Sequence, residues 1–102
     1  MKESSMKKSV LINGNRIKNK SDLFPYLEQV FKLSQPMGHN LDALWDTLSH
    51  TKTLNKITII HSNQLMNNLG DYAQSLLDVF NTLKTKRNIE LIIYRGKRNE
   101  TN

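Results

Sequence analysis

Residues 37–48, MGHNLDALWDTL, decide the architecture of this chain because they specify one helix with a defined start and a defined buried side. Gly38 permits a backbone bend ahead of the helix. Asn40 is a good N-cap because its side-chain oxygen can accept a hydrogen bond from an early helical N–H. Apolar residues follow at helical spacing and mark the side that faces the core: Leu41, Leu44, Trp45 and Leu48. The stretch therefore predicts an amphipathic helix over residues 40–48.

The opposite side of this helix carries two carboxylates. Asp42 lies in the first turn, where the helix dipole favours an anion, and Asp46 follows four residues later on the same face. Like charges at this spacing destabilise an isolated helix by roughly a few tenths of a kcal/mol, so folding alone does not explain the pair. Two interpretations stay open. Either Asn40 and Asp42 only cap the helix, Trp45 is core and Asp46 is solvated surface, or the segment is a binding site.

The segments around this helix predict an α/β fold. Apolar runs over residues 10–12, 56–61 and 89–94 indicate three strands, and their mostly continuous apolar character is typical of a parallel sheet. Residues 62–69 fit either a short helix or a loop. We therefore expect a three-stranded parallel sheet covered by three or four helices.

Two further helices are indicated on either side of the central one. Ser21 is the expected cap of the first, which includes Pro25 in its first turn and ends near Leu33. The longest helical pattern begins at Asp71 and ends over residues 84–87, where basic side chains suit the negative end of a helix.

Composition limits the possible classes of protein. A chain of 102 residues with 37% hydrophobic content suits one domain over residues 1–102, with a core over about residues 7–94 and a flexible basic tail over about residues 95–102. No apolar run reaches the roughly 18 residues of a membrane span, and the start lacks a signal-peptide core. The absence of cysteine excludes disulfides and thiolate metal sites. A cytoplasmic protein without membrane contact is expected.

The net charge of +6 is concentrated at the two ends of the chain. Residues 1–20 carry +5, residues 21–83 carry −3 and residues 84–102 carry +4. Basic ends are either solvated surface or the electrostatic footprint of a nucleic-acid-binding module. His39 and His50 flank the central helix, but two separated histidines do not specify a metal site, and no nucleophile motif or phosphate loop suggests an enzyme. No metal or cofactor is expected.

Residues 38–48, GHNLDALWDTL, resemble the central motif of the barstar family, inhibitors of the secreted bacterial ribonuclease barnase. Weaker similarities follow in the family's order, at residues 7–14, 21–23, 75–80 and 89–93. The resemblance covers residues 7–94 and implies a helix-covered parallel sheet and a non-enzymatic inhibitor that is a monomer when free.

The resemblance also implies how such an inhibitor acts. The second helix and the loop before it enter the phosphate-binding cleft of the nuclease, where carboxylates imitate phosphate and form charge-assisted hydrogen bonds to basic side chains. The partner-binding positions implied in this way are Met37, Gly38, Asn40, Asp42, Trp45 and Asp46.

Several positions depart from the family's pattern. The loop before Gly38 reads QPM over residues 35–37 where the family has two tyrosines, and Thr51 stands near the place of an interface tryptophan. Thr82 and Lys86 occupy positions that are acidic in the family. We therefore expect the target of this chain to be a ribonuclease or related nuclease toxin whose cleft rim has diverged from that of barnase.

Overall fold

The computed structural model describes residues 8–33 and 37–97, which form a three-stranded sheet and four α-helices. Along the chain the elements are β1 (Lys8–Asn13), a 3-10 turn (Gly14–Arg16), α1 (Lys20–Phe31), α2 (Leu41–Ser49), β2 (Leu54–Ile60), α3 (Ser62–Leu69), α4 (Asp71–Arg87) and β3 (Glu90–Ile93). The predicted α/β class is confirmed, and the ambiguous segment over residues 62–69 is a helix.

The sheet is parallel throughout, with β2 between β1 and β3. In its register Val10 pairs with Ile57, which pairs with Leu91. The face that carries these residues packs beneath the helices, so Val10 and Ile57 are buried. On the opposite face Leu11 is 44% exposed, which leaves part of this parallel sheet open on one side.

The helices close the core over the inner face of the sheet. Each of the four helices contributes at least one fully buried side chain. The largest of these across the described residues are Phe31, Phe80, Ile12, Ile17, Leu23, Leu27, Leu44, Leu48, Ile57, Ile59, Leu65 and Leu76. Burying one such side chain stabilises the fold by roughly 1.5–3 kcal/mol, so this cluster holds the helices in fixed positions on the sheet.

The start of α1 differs from the prediction. Asn19, not Ser21, is the N-cap: its side-chain oxygen accepts a hydrogen bond from the Asp22 N–H at 3.1 Å. Ser21 is already helical, and its hydroxyl donates to the same Asn19 oxygen at 2.9 Å. Because the helix begins earlier, Pro25 is its sixth residue and lies beyond the first turn, where it removes one intrahelical hydrogen bond.

The end of β1 passes very close to the end of β2. A Cβ atom on Gly14 would lie 2.2 Å from the carbonyl oxygen of His61, a distance that real Cβ atoms do not adopt. His61 itself has a left-handed backbone conformation, which turns the chain from β2 into α3. Gly14 is therefore required by the approach of two backbones rather than by its own conformation.

The first N–H groups of α3 are satisfied by the segment after β3. His61, Ser62 and Asn63 donate backbone hydrogen bonds to the carbonyls of Gly96, Tyr94 and Arg95 at 2.8, 3.1 and 3.1 Å. This helix has no side-chain cap, so the distant carbonyls take the place of one. The expected flexible tail over residues 95–102 thus begins within this hydrogen-bonded segment, and residues 98–102 lie outside the described part.

None of the helices within residues 8–33 and 37–97 is long and apolar enough to cross a membrane.

Candidate functional site

The start of α2 lies where the sequence places it. The Asn40 side-chain oxygen accepts a hydrogen bond from the Ala43 N–H at 2.8 Å, and the Asn40 carbonyl accepts the first intrahelical bond from Leu44 at 3.0 Å. Asn40 is therefore the N-cap. Its two oxygens satisfy N–H groups in the first turn of α2, so Asn40 has a structural role.

The inner side of α2 anchors the helix to the core. Leu44 and Leu48 are completely buried. Leu41 and Trp45 are half-buried and pack against the same core cluster. Trp45 therefore belongs partly to the core and partly to the surface.

The outer side of α2 presents both carboxylates to solvent. Asp42 is exposed, and the Asp46 side chain is 76% exposed. The His50 ring lies beside Asp46, with Nδ1 3.6 Å from the Asp46 carboxylate. The same Nδ1 lies 2.8 Å from the Asp46 carbonyl oxygen. Both carboxylates are exposed, so a partner could reach them.

The Glu28 carboxylate of α1 lies beside residues 37–39, which precede α2. Glu28 Oε2 accepts a hydrogen bond from the Met37 N–H at 3.1 Å and lies 3.4 Å from His39 Nε2. The His39 ring stacks on Phe24, with centroids 5.6 Å apart and planes 11° apart. Met37, expected to contact a partner, has its side chain in the core with 9% exposure. Contacts within the chain therefore hold Met37 and His39 against α1.

A further aromatic ring packs against Phe24. Tyr72 of α4 meets Phe24 edge-to-face at 6.5 Å, and Lys20 Nζ lies 4.4 Å from the centre of the Tyr72 ring. Burial raises the pKa of the Tyr72 hydroxyl above its ordinary value, so this side chain stays neutral at physiological pH.

Gly38 adopts a backbone conformation that does not require glycine. Its φ is not positive, and a Cβ there would lie 3.3 Å from Ala43 Cβ and 3.5 Å from Asn40 Nδ2. The residue allows the loop to pass close to the first turn of α2. Its contribution is thus close packing against that turn.

The far end of α2 is closed by a side chain from α4. The Arg87 guanidinium donates from Nη1 to the carbonyls of Ser49 and Leu48, and from Nη2 to the carbonyl of Thr51 at 3.4 Å. The Thr51 hydroxyl donates to the Thr47 carbonyl at 2.8 Å. Carbonyls that a helix leaves unpaired at its C-terminus are thereby satisfied. Thr51 and Arg87 both serve the end of this helix.

An open groove of about 240 Å³ runs between α2 and α4 beside the exposed carboxylates. It is lined by Leu41, Asp42, Trp45, Asp78, Val79 and Thr82. Asp78 is exposed, and its Oδ1 accepts a hydrogen bond from Gln74 Nε2 at 3.1 Å. Asp78 was not among the site residues predicted from the sequence. The signal that could have found it is its position one helical turn before Thr82, on the side of α4 that faces α2.

The described residues contain no cluster of three or more His, Cys, Asp or Glu side chains suited to a metal ion. The site consists instead of a capped, anchored helix, two exposed carboxylates, a half-buried tryptophan and an adjacent groove. This arrangement suits recognition of a basic surface by charge and shape.

A scan against protein-family models matches residues 7–95 to the family described as "Barstar (barnase inhibitor)". The match covers almost the whole of the described chain and includes every residue of the site.

Proposed function

This chain belongs to the barstar family, and on that premise we propose that it is a protein inhibitor that blocks the basic active-site cleft of a ribonuclease or related nuclease toxin. The observation that carries the proposal is the exposure of Asp42 and Asp46 on a helix whose other side is fixed by Leu44 and Leu48. A rigid helix with two free carboxylates can enter a cleft without first rearranging.

The proposed mechanism is imitation of a phosphate group. A nuclease cleft holds RNA phosphates with Arg, Lys and His side chains. The Asp46 carboxylate accepts charge-assisted hydrogen bonds from such groups, and Asp42 adds a second negative charge one turn earlier. RNA is then excluded because the same cations are already occupied. Asn40 and Gly38 contribute through the position of the helix, and Trp45 through its exposed part.

The same proposal makes the protein a non-enzymatic partner that needs no cofactor and acts in the cytoplasm as a monomer. Its biological role would be immunity, because an intracellular inhibitor protects cellular RNA from the nuclease. The chain is cysteine-free, which suits a reducing compartment.

We propose further that the target has diverged from barnase. Residues 35 and 36 of the preceding loop lie outside the described residues, but Met37 is in the core and Thr51 is engaged in closing α2. On α4 the exposed positions Thr82 and Lys86 carry no negative charge. The rim of the proposed interface therefore offers different contacts from the family's pattern, around a central helix that resembles the family's motif.

The nucleic-acid-binding alternative draws less support from the geometry. Arg87, within the basic segment that would bind nucleic acid, is occupied by the carbonyls at the end of α2. The exposed lysines nearby, Lys84 and Lys86, remain available for such contacts.

The test is capture of the target nuclease from the native host by the purified chain, followed by an RNA-cleavage assay with the captured enzyme. We expect wild type to inhibit cleavage, and Asp46→Ala to weaken the complex by about 30-fold or more, because a buried charge pair loses one member. The doubly substituted chain, Asp42→Ala with Asp46→Ala, should capture nothing.

Glu90→Ala is the matched control, since it removes an exposed carboxylate from β3 away from α2. Urea unfolding of each variant checks that folding is intact. Wild-type inhibition by the double variant, or the absence of any nuclease among the captured proteins, would contradict the proposal.

A further inference from the structure

We propose that the open face of the sheet, beside β1, binds an extended acidic segment of a partner protein. In this complex the segment adds a strand to the free edge of β1, and one of its carboxylates enters a cleft between β1 and β2. The site goes beyond the proposed inhibitor function, because it lies on the sheet face opposite the helices and uses no residue of α2.

The edge of β1 that faces away from β2 carries backbone groups able to pair with another strand. β1 is an edge strand, because β2 lies between β1 and β3. The Lys8 N–H donates toward β2, to the Thr53 carbonyl at 2.7 Å, and successive peptide groups of a strand point to opposite sides. The N–H and carbonyl groups of Ser9 and Leu11 therefore point outward, away from β2.

α1 closes this edge at its upper end only. The Asn13 N–H also points outward, and it donates to the Tyr26 hydroxyl at 2.9 Å. No side chain or loop within residues 8–33 and 37–97 forms a hydrogen bond with the outward backbone groups of Ser9 and Leu11. A short row of free N–H and C=O groups is a template for the addition of a strand.

A cleft of about 250 Å³, which we call the sheet cleft, opens beside this edge. It is lined by Ser9, Val10, Leu11, Lys56 and Thr58. In the sheet register Ser9 pairs with Lys56, and Leu11 pairs with Thr58. Thr58 is only 6% exposed, and within residues 8–33 and 37–97 its hydroxyl has no hydrogen-bond partner. A buried hydroxyl in that condition favours a ligand that can accept its hydrogen bond.

The donors of the sheet cleft suit a carboxylate. Lys56 supplies an ammonium group, and Ser9 and Thr58 supply hydroxyls, so one carboxylate can accept from all three. In the described part of the chain no carboxylate lies within 4.0 Å of the Lys56 ammonium, including that of Glu90, its register partner on β3. The free backbone edge favours a polypeptide over a nucleic acid, whose backbone has no N–H groups to pair with a strand.

An added strand places an acidic side chain within reach of the sheet cleft. Neighbouring strands lie about 4.8 Å apart, so a residue added beside Ser9 is about 10 Å from Lys56 across β1. Ser9 is small, so a glutamate at that position can pass over it and meet the lysine side chain. Leu11, 44% exposed, offers an apolar contact to the residue two positions along the added strand.

The experiment titrates the full ¹⁵N-labelled chain at low ionic strength with the blocked peptide acetyl-Thr-Glu-Thr-Val-Thr-amide. We expect this peptide to shift the amide signals of residues 9–11 and 56–58. Affinity should fall about threefold to fivefold when glutamine replaces the glutamate of the peptide, and equally for Lys56→Gln, as for an exposed ion pair. The same peptide N-methylated at its three central residues should not bind measurably, because it lacks the N–H groups that pair with β1.

Lys84→Gln is the matched control, because it removes the same charge from α4, outside the sheet cleft. Its affinity for the acidic peptide should equal that of wild type. The inference is overturned if no signal moves or the signals move elsewhere, if the glutamine or N-methylated peptide binds as tightly as the first, or if Lys56→Gln behaves like wild type.

A further variant separates this inference from the proposed function. Asp46→Ala should bind the acidic peptide as wild type does, although its inhibition of the nuclease is weakened. Peptide binding that depends on Lys56, together with no inhibition of any nuclease, would uphold the sheet cleft and contradict the inhibitor. Inhibition that depends on Asp46, together with no peptide binding at β1, would uphold the inhibitor and overturn the sheet cleft.

Discussion

Asp42 and Asp46 share one face of α2, but the helix needs them unequally. Asp42 is in the first turn and benefits from the helix dipole, whereas Asp46 lies nearer the C-terminal end, where a negative charge gains nothing from the dipole. The spacing of these residues in the sequence was enough to predict their common face. Their exposure could be inferred from the leucines opposite, because a helix that buries one side must present the other.

Other residues of the site could not be placed from sequence alone. Met37 lies in the core because Glu28, nine residues earlier on α1, binds its N–H and fixes the loop. Asp78 belongs to the groove only because α4 packs beside α2. Contacts between different elements determine where Met37 and Asp78 lie. A local sequence pattern does not predict such contacts.

At the same scale, Gly14→Ala is expected to destabilise the fold by about 2 kcal/mol or more, because its Cβ would lie 2.2 Å from the His61 carbonyl oxygen. Neither backbone can move without disturbing the end of its strand. Urea unfolding followed by circular dichroism measures the loss. Gly96→Ala is the control, since no atom lies within 4 Å of a Cβ at that position. Equal stability of the two variants would show that the two strand ends separate easily.

At the scale of elements, α2 was predictable because all of its determinants are local. The cap at Asn40 and the buried stripe lie within the helix or directly beside it. α1 was misplaced at its start because Asn19 and Ser21 are both good caps, and only the structure shows which carbonyl begins the helix. α3 stayed ambiguous because its first N–H groups bind residues 94–96, about 30 positions later in the chain, where no local signal reaches.

The closure of α2 by α4 leads to a prediction about Arg87. Arg87→Met should keep most of the aliphatic packing but leave the Ser49 carbonyl without its donor. The carbonyls of Leu48 and Thr51 would lose one bond each and keep those from the backbone N–H groups of Thr51 and Leu54. We expect a loss of about 1–3 kcal/mol in the free energy of unfolding. Hydrogen exchange should show faster opening of the last turn of α2.

Lys86→Met is the control for this change, since it removes a neighbouring exposed cation from the same helix. If both variants lose the same small amount of stability, the contribution of Arg87 is its charge near the helix end and not its hydrogen bonds to α2.

At the scale of the whole molecule, the net charge of the chain has the opposite sign to the surface proposed to bind the partner. The chain is strongly basic, yet the proposed contact surface is acidic. Approach to a basic nuclease is therefore not helped by long-range attraction, and recognition depends on short-range charge within about a Debye length of 8 Å. The acidic middle of the chain was evident in the sequence, whereas the grouping of its charges around one groove was not.

The basic ends give a test of the alternative function. If they bind RNA, affinity should fall steeply with salt and should drop when Lys84 and Lys86 are both changed to Gln. On the inhibitor proposal we expect those substitutions to leave nuclease inhibition unchanged. Fluorescence anisotropy with a labelled RNA, at several salt concentrations, measures the first property. Tight RNA binding with a steep salt dependence, combined with no nuclease inhibition, would favour the alternative.

The two-ended restraint of α2, by the Asn40 side chain at its start and Arg87 at its finish, has a consequence for the thermodynamics of association. The backbone of α2 is already helical in the free chain, so formation of the proposed complex need not remove its conformational freedom. The entropy lost on binding then comes mainly from overall translation and rotation and from exposed side chains such as Asp46. A short helix of nine residues can thus offer its carboxylates as a preformed shape, although on its own it would be mostly unfolded in water.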